Sequence, residues 1–145
     1  MNRITYACPE DFPRLAELEK LCFSQPWSEE AFLSFAANGG VLTVSRENGS
    51  VSGYLGAVFA ADEGEIANVA VAPEARRRGI ASRLLDDLEE KARPRGVKTL
   101  YLDVRVSNAG AIALYEKKGF YRVGLRKGFY RSPGEDAFVY RKDLV

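Results

Sequence analysis

The chain has 145 residues, 46% of them hydrophobic and 28% charged, with a formal net charge of +1. That suits one domain over residues 1–145 with a real core, excludes a disordered chain, and gives no global attraction to nucleic acid or anionic lipid. There is no histidine, which excludes Ser-His-Asp hydrolysis, Cys-His catalysis and His-ligated zinc, and leaves acid–base work to Asp, Glu, Tyr, Lys, Cys or water. Cys8 and Cys22 have no metal or redox spacing. No apolar run reaches the length of a membrane span, and Met1-Asn2-Arg3-Ile4 lacks the apolar segment of a signal peptide, so a cytoplasmic, reducing setting is expected.

Arg3–Ala7 reads as a first strand. Pro9–Phe23 reads as a helix, with Phe12, Leu15, Leu18 and Leu21-Cys22 at helical spacing. Pro13 fits only its first turn. Gln25-Pro26-Trp27 breaks the pattern, and Ser28 is a suitable N-cap for a second helix ending at Asn38-Gly39-Gly40. Val41–Glu47 and Val51–Ala61 are strands joined by the hairpin signal Asn48-Gly49. Glu65–Ala72 is mostly apolar and so a central strand.

Gly79–Arg93 is an amphipathic helix with Ile80, Leu84, Leu85, Leu88 and Ala92 facing inward. Thr99–Val104 is a strand with Leu100, Leu102 and Val104 on one side and Tyr101, Asp103 and Arg105 on the other. Asn108–Lys118 is a short helix with Ile112 and Leu114-Tyr115 on its apolar side, closed by Gly119. Phe120–Phe129 and Ala137–Arg141 form a last strand pair, joined by residues 132–136. The unit from Glu65 to Val104 is expected to be a parallel crossover.

The stretch with the most chemistry is Asn68-Val69-Ala70-Val71-Ala72-Pro73 followed by Arg76-Arg77-Arg78-Gly79-Ile80-Ala81. A helix that opens on Gly79 offers unpaired N–H groups and a positive dipole end to an anion. Gly79 and Ala81 let that anion approach the backbone closely, and a pyrophosphate suits the geometry. Taken alone, the turn reads first as a solvated charge run before an ordinary surface helix.

The pattern Arg76-x-x-Gly79-x-Ala81 after a Val-Ala-Val strand resembles the acetyl-coenzyme A loop of the GCN5-related N-acetyltransferase (GNAT) superfamily. Four segments spanning essentially the whole chain resemble the RimI family within it, the bacterial ribosomal-protein alanine N-acetyltransferases. They are Phe23-Ser24-Gln25-Pro26-Trp27-Ser28, the loop just quoted, Leu102-Asp103-Val104-Arg105-Val106-Ser107-Asn108 running into Ala113–Phe120, and Tyr130 with Glu135-Asp136-Ala137. The resemblance implies an α/β (α+β) GNAT fold, a mixed, mostly antiparallel central sheet of about seven strands with about four flanking helices.

Further implications follow from the same resemblance. The main chain of Val69, Ala70 and Val71 would pair with the pantetheine arm like an added strand, as an open sheet edge allows. Arg76, Arg77, Arg78, Gly79, Ile80, Ala81 and Ser82 would hold the pyrophosphate, and Asn108 would contact the cofactor. Tyr115 matches the general acid that protonates the departing thiolate. A phenol near pKa 10 gives up its proton to a thiol near 8.5 uphill by roughly 1.5 units, or about 2 kcal/mol, unless the site lowers it. Without the motif, Tyr115 reads as an ordinary core aromatic.

Position 103 departs from the family, which usually carries glutamate there as the base. Asp103 retracts the carboxylate by about 1.5 Å, so a water relay fits better than direct contact. The demand is modest, because an α-amine of pKa near 7.7–8.0 is roughly 10–20% neutral at pH 7 whereas a lysine is neutral only about once in a few thousand. Glu65, on the neighbouring strand, is the second candidate base. The alternative for Asp103 is a polar strand residue holding Arg105 or a water.

Trp27 either packs the second helix or borders the peptide groove. Tyr130, Glu135 and Asp136 either wall that groove or simply build a turn.

The reaction implied is acetyl transfer from acetyl-CoA, without a metal, to the N-terminal alanine of a small-subunit ribosomal protein, the eighteenth, by direct attack of the α-amine. The partner is then a protein N-terminus rather than nucleic acid or membrane, met by a monomer or weak homodimer. Two alternatives remain open. One is a broader N-terminal, lysine or small-amine acetyltransferase of the same superfamily. The other is a non-catalytic acetyl-CoA-binding partner or sensor.

Overall fold

The computed structural model describes residues 2–144. Strand β1 (Asn2–Tyr6) leads through a 3-10 turn (Pro9–Asp11) into helices α1 (Phe12–Cys22) and α2 (Glu29–Ala37). There follow β2 (Val41–Glu47), β3 (Ser50–Ala60), β4 (Glu63–Val71), α3 (Ile80–Ala92), β5 (Thr99–Arg105), α4 (Ala109–Lys117), β6 (Tyr121–Tyr130) and β7 (Glu135–Asp143). The strands make one seven-stranded sheet in the order β1-β2-β3-β4-β5-β7-β6. All neighbours are antiparallel except β4 and β5.

Local chemistry accounts for these elements. Asn48 and Gly49 have φ of +52° and +83°, the left-handed pair that a two-residue hairpin requires, and they set Glu47 opposite Ser50. Ser28 caps α2, its Oγ accepting the Ala31 N–H at 3.2 Å. On α3 all five expected inward residues are buried. In β3, Tyr54 meets Phe32 of α2 and Glu19 of α1. The adjacent Gly53 lies under α3, where a Cβ would sit 3.2 Å from Ile80 Cγ2. Successive strand residues point to opposite faces, so α1 and α2 cover one face of the sheet and α3 the other.

Several expectations need correcting. The helix expected from Pro9 begins as a 3-10 turn and becomes α-helical only at Phe12. Leu21, expected inward, is 56% exposed, while Glu19 is 1% exposed. At 100° per residue, Leu15, Glu19 and Cys22 share one line and Leu21 falls well outside it. Glu135 and Asp136, placed in a connecting turn, are the first residues of β7, with Glu135 opposite Tyr130. The β4 strand starts two residues earlier than its apolar run suggests, at Glu63.

Candidate active site

The two parallel strands stay together only briefly. β4 and β5 pair from Glu63 opposite Thr99 to Ile66 opposite Leu102. β4 then continues to Val71 along β3, and β5 to Arg105 along β7. A register shift between Gly56 and Ala57 skips Ala67 on β4. Such a bulge bends its strand and ends pairing, and here it steers β4 away from β5. The main chain of Val69, Ala70 and Val71 therefore has a strand partner on one side only, among the described residues.

Beyond β4 the chain turns through Pro73–Ala75 into the loop before α3. Arg77 has φ +67° and Gly79 φ +75°. Gly79 is the N-cap of α3 and no side chain among the described residues caps the helix, so its first amides are without intrahelical acceptors. The three arginines behave differently from one another. Arg76 folds back, its Nε donating to Val71 O at 3.2 Å and its Nη2 to Cys22 Sγ at 3.3 Å. Arg78 pairs with Glu47 at 3.1 Å and donates to Glu74 O at 3.2 Å. Arg77 is exposed and carries no ion pair among the described residues. Asn108 caps α4, its Oδ1 accepting from Ala111 N at 3.2 Å.

Over the paired stretch of β4 and β5, a hollow of about 300 Å³ is lined by Glu63, Glu65, Tyr101, Asp103, Arg126 and Val139, among others. Both candidate bases thus share one site. Asp103 is largely buried and ion-paired, its Oδ1 accepting from Arg126 Nε at 3.1 Å. The expected alternative partner, Arg105, turns elsewhere, to Glu135, Pro133 O and Arg131 O. Glu65 is exposed and forms no ion pair among the described residues.

Tyr115 is half-buried and stands edge-on to Phe120, with ring centroids 5.9 Å apart. Burial, with a smaller contribution from nearby Tyr130, pushes its pKa up to about 12. The site therefore does not lower the tyrosine pKa; the gap to a thiol near 8.5 widens to about 3.5 units, or about 5 kcal/mol. Tyr130 packs under the Arg105 guanidinium at 4.4 Å. Its own pKa is raised by burial first and then by the charge of Asp103, so it lies within electrostatic reach of both Asp103 and Tyr115.

The acidic pair at the start of β7 is already engaged. Glu135 accepts from Ser107 N at 2.7 Å and from Arg105 at 3.2 Å, and these bonds, that of Ser107 foremost, hold its carboxyl below the usual range. Asp136 Oδ1 accepts from Gly128 N at 2.7 Å. Trp27 packs at a tilt against Phe32 and Phe35, with centroids 5.3 and 5.1 Å away, and remains half-buried. The sequence reading missed Arg126 and Glu19. Glu19 carried a signal, a carboxylate four residues after Leu15 in an apolar helical stripe; Arg126 carried none.

Comparison with known proteins matches these features. The family model described as the Acetyltransferase (GNAT) family covers residues 12–120. The [Ribosomal protein bS18]-alanine N-acetyltransferase of Escherichia coli K12 is 35% identical over 141 residues, covering 96% of this chain and 95% of its own. The N-alpha-acetyltransferase RimI of Mycobacterium tuberculosis is 39% identical over 140 residues, covering 92% of this chain and 87% of its own. The crystal structure of the E. coli ribosomal-protein-S18-alanine N-acetyltransferase superposes with a TM-score of 0.92 at 34% identity, over 99% of this chain and 94% of that one. With its forked β4–β5 pair and uncapped glycine turn, the chain belongs to the GNAT acetyltransferase family.

Proposed function

We propose that this chain transfers the acetyl group of acetyl-CoA to the α-amine of a protein N-terminus, with the N-terminal alanine of ribosomal protein bS18 as the acceptor. The observation that carries the reading is the fork. Beyond Ile66 and Leu102 the two parallel strands diverge, and the hollow over the paired stretch just before that point holds Asp103 and Glu65. The identity with enzymes named for that acceptor, over nearly the whole chain, supports the choice of substrate.

Acetyl-CoA supplies the acetyl group as an activated thioester. The one-sided main chain of Val69–Val71 suits a strand-like pantetheine arm. The first amides of α3, from Gly79 to Ser82, suit the pyrophosphate, with Arg77 free to approach it. A main-chain amide of the Val69–Val71 stretch polarises the thioester carbonyl. Asp103 takes the ammonium proton through a water, which its shorter side chain leaves room for. Tyr115 stays protonated at neutral pH and hands its proton over only as the thiolate departs, since a stepwise transfer would be steeply uphill. No cysteine is asked to form a covalent adduct: Cys8 is raised from its usual pKa, first by its hydrogen bond with Glu10, and is not a ready nucleophile.

The ion pair with Arg126 favours a second assignment, in which Asp103 sets the shape of the hollow and the unpaired Glu65 is the base. Acetyl transfer to a peptide panel, mapped by fragmentation, tests both acceptor and chemistry. The panel holds Ala-, Ser- and Met-initiated peptides, an N-blocked lysine peptide and the bS18 N-terminal peptide. Label on the free α-amine, strongest for the bS18 peptide, is expected. Label on lysine alone overturns the acceptor assignment. No label with CoA still bound points to a non-catalytic partner.

A further inference from the structure

Glu19 is the one carboxylate on the inner line of α1, and it is 1% exposed. Three donors meet it. Trp27 N donates to Oε1 at 2.9 Å, the Tyr54 hydroxyl to Oε2, and Asn68 Nδ2 reaches Oε2 at 3.4 Å. No cation pairs with it among the described residues, so hydrogen bonds alone offset the loss of water. Burial pushes its carboxyl up from the usual range, against the pull of Tyr54 and the Trp27 amide.

The two oxygens face different parts of the site. Oε1 holds the segment between α1 and α2, where Trp27 begins the aromatic cluster with Phe32 and Phe35. Oε2 holds Tyr54, which lies opposite Ala70, and Asn68, which closes the β4 bulge opposite Gly56. Asn68 immediately precedes the Val69–Val71 stretch.

We propose that Glu19 is a positioning residue that couples the strand receiving the cofactor to the loop bordering the acceptor. The inference rests on the acetyl-CoA reading of β4 but not on the identity of the acceptor. A ligand that pairs with Val69–Val71 draws on the bulge and on Asn68. The rigid carboxylate carries that displacement to the Trp27 amide. Gln cannot replace it, because an amide has one accepting oxygen and must place two N–H donors.

Trp27 is the only tryptophan of the chain, so its fluorescence reads the far end of the coupling directly. The experiment titrates CoA alone into the native protein, Glu19→Gln and Tyr54→Phe, following Trp27 emission together with CoA affinity by calorimetry and thermal melting. In the native protein CoA is expected to shift the emission. In Glu19→Gln the shift should fall by at least about half while CoA affinity stays within about threefold. Tyr54→Phe, which keeps the Glu19 charge but removes the main donor to Oε2, should give an intermediate loss and keeps the test open should Glu19→Gln fail to fold.

A purely structural Glu19 would lower the melting temperature and leave the emission shift intact; that result, or a native protein whose emission ignores bound CoA, overturns the proposal. If the coupling holds while no peptide of the panel is acetylated, the acceptor assignment falls and the role of Glu19 stands.

Discussion

Asp103 and Arg126 are joined at 3.1 Å from neighbouring parts of the sheet, one on β5 and the other on the edge strand β6. The residue best placed to take a proton is thus held by a cation that is itself more than half exposed. The ion pair fixes the position of the carboxylate. Asp103→Asn is expected to lower kcat by about 10²-fold or more if Asp103 is the base, the usual scale for losing one. Glu65→Gln should then cost far less. The reverse order in steady-state kinetics assigns the base to Glu65. Asp103→Glu should keep or raise the rate, since it restores the reach that Asp gives up.

Tyr115→Phe is expected to lower kcat by about 10²-fold with little change in the KM for either substrate, as for a group needed only when the thiolate leaves. Because burial holds Tyr115 near 12, the pH–rate profile should show no fall on the alkaline side below about pH 10 from this residue. Unchanged turnover in the Phe variant removes the acid role.

Gly79 sits at φ +75°, where a side chain costs about 1–2 kcal/mol. A Cβ there meets no atom nearer than 3.7 Å, from Arg83, so the backbone conformation alone decides the outcome. Gly79→Ala should raise the KM for acetyl-CoA by roughly tenfold as the turn shifts, with a smaller change in the KM for peptide. Calorimetric titration with CoA checks the same point without turnover.

Asp11 gives a pH-dependent contribution to stability. It accepts from Arg46 Nη1 at 2.9 Å and Nη2 at 2.6 Å, and from the Cys8 amide at 2.9 Å. Burial raises its pKa, and the bonds from Arg46 and Cys8 more than offset that, leaving it lowered. A carboxyl with a depressed folded pKa stabilises fully above the unfolded value near 3.9 and loses that contribution as pH falls through the folded one. Asp11→Asn should therefore be destabilised at pH 7, with the difference from the native protein shrinking below about pH 4 in denaturant titrations.

Thr43 is fully buried in β2, and its Oγ1 has no hydrogen-bond partner among the described residues. Thr43→Val keeps the shape and removes an unsatisfied hydroxyl, so stability should rise by about 1 kcal/mol, read as a higher melting temperature with unchanged kinetics.

Much of the architecture is written in periodicity. The 3.6-residue stripe of Ile80, Leu84, Leu85, Leu88 and Ala92 and the alternation of Leu100, Leu102 and Val104 each match the observed burial. The turn chemistry of Asn48-Gly49 and the cap at Ser28 are local and equally legible. What escapes is what depends on a partner far along the chain. Alternation along β4 tells which residues face inward but not where its ladder with β5 stops, because the bulge at Ala67 is defined only against Gly56 and Ala57. The engagement of Glu135 by Arg105 and Ser107 spans about thirty residues and leaves no local trace. The helical stripe turns Glu19 inward, but its partner Tyr54 comes from β3, 35 residues further on, and nothing local names it.

The short β4–β5 ladder has a mechanical consequence. Among the described residues only the pairs from Glu63–Thr99 to Ile66–Leu102 stitch the sheet across its middle, so the strands on either side form two leaves joined by a narrow seam. A ligand lying along Val69–Val71 would lengthen that seam. The leaves would then flex most when the groove is free and least when it is filled. Amide hydrogen exchange at Tyr101–Arg105 and Asn68–Val71 should slow together on CoA binding, as though one strip of fabric had been sewn further up its slit.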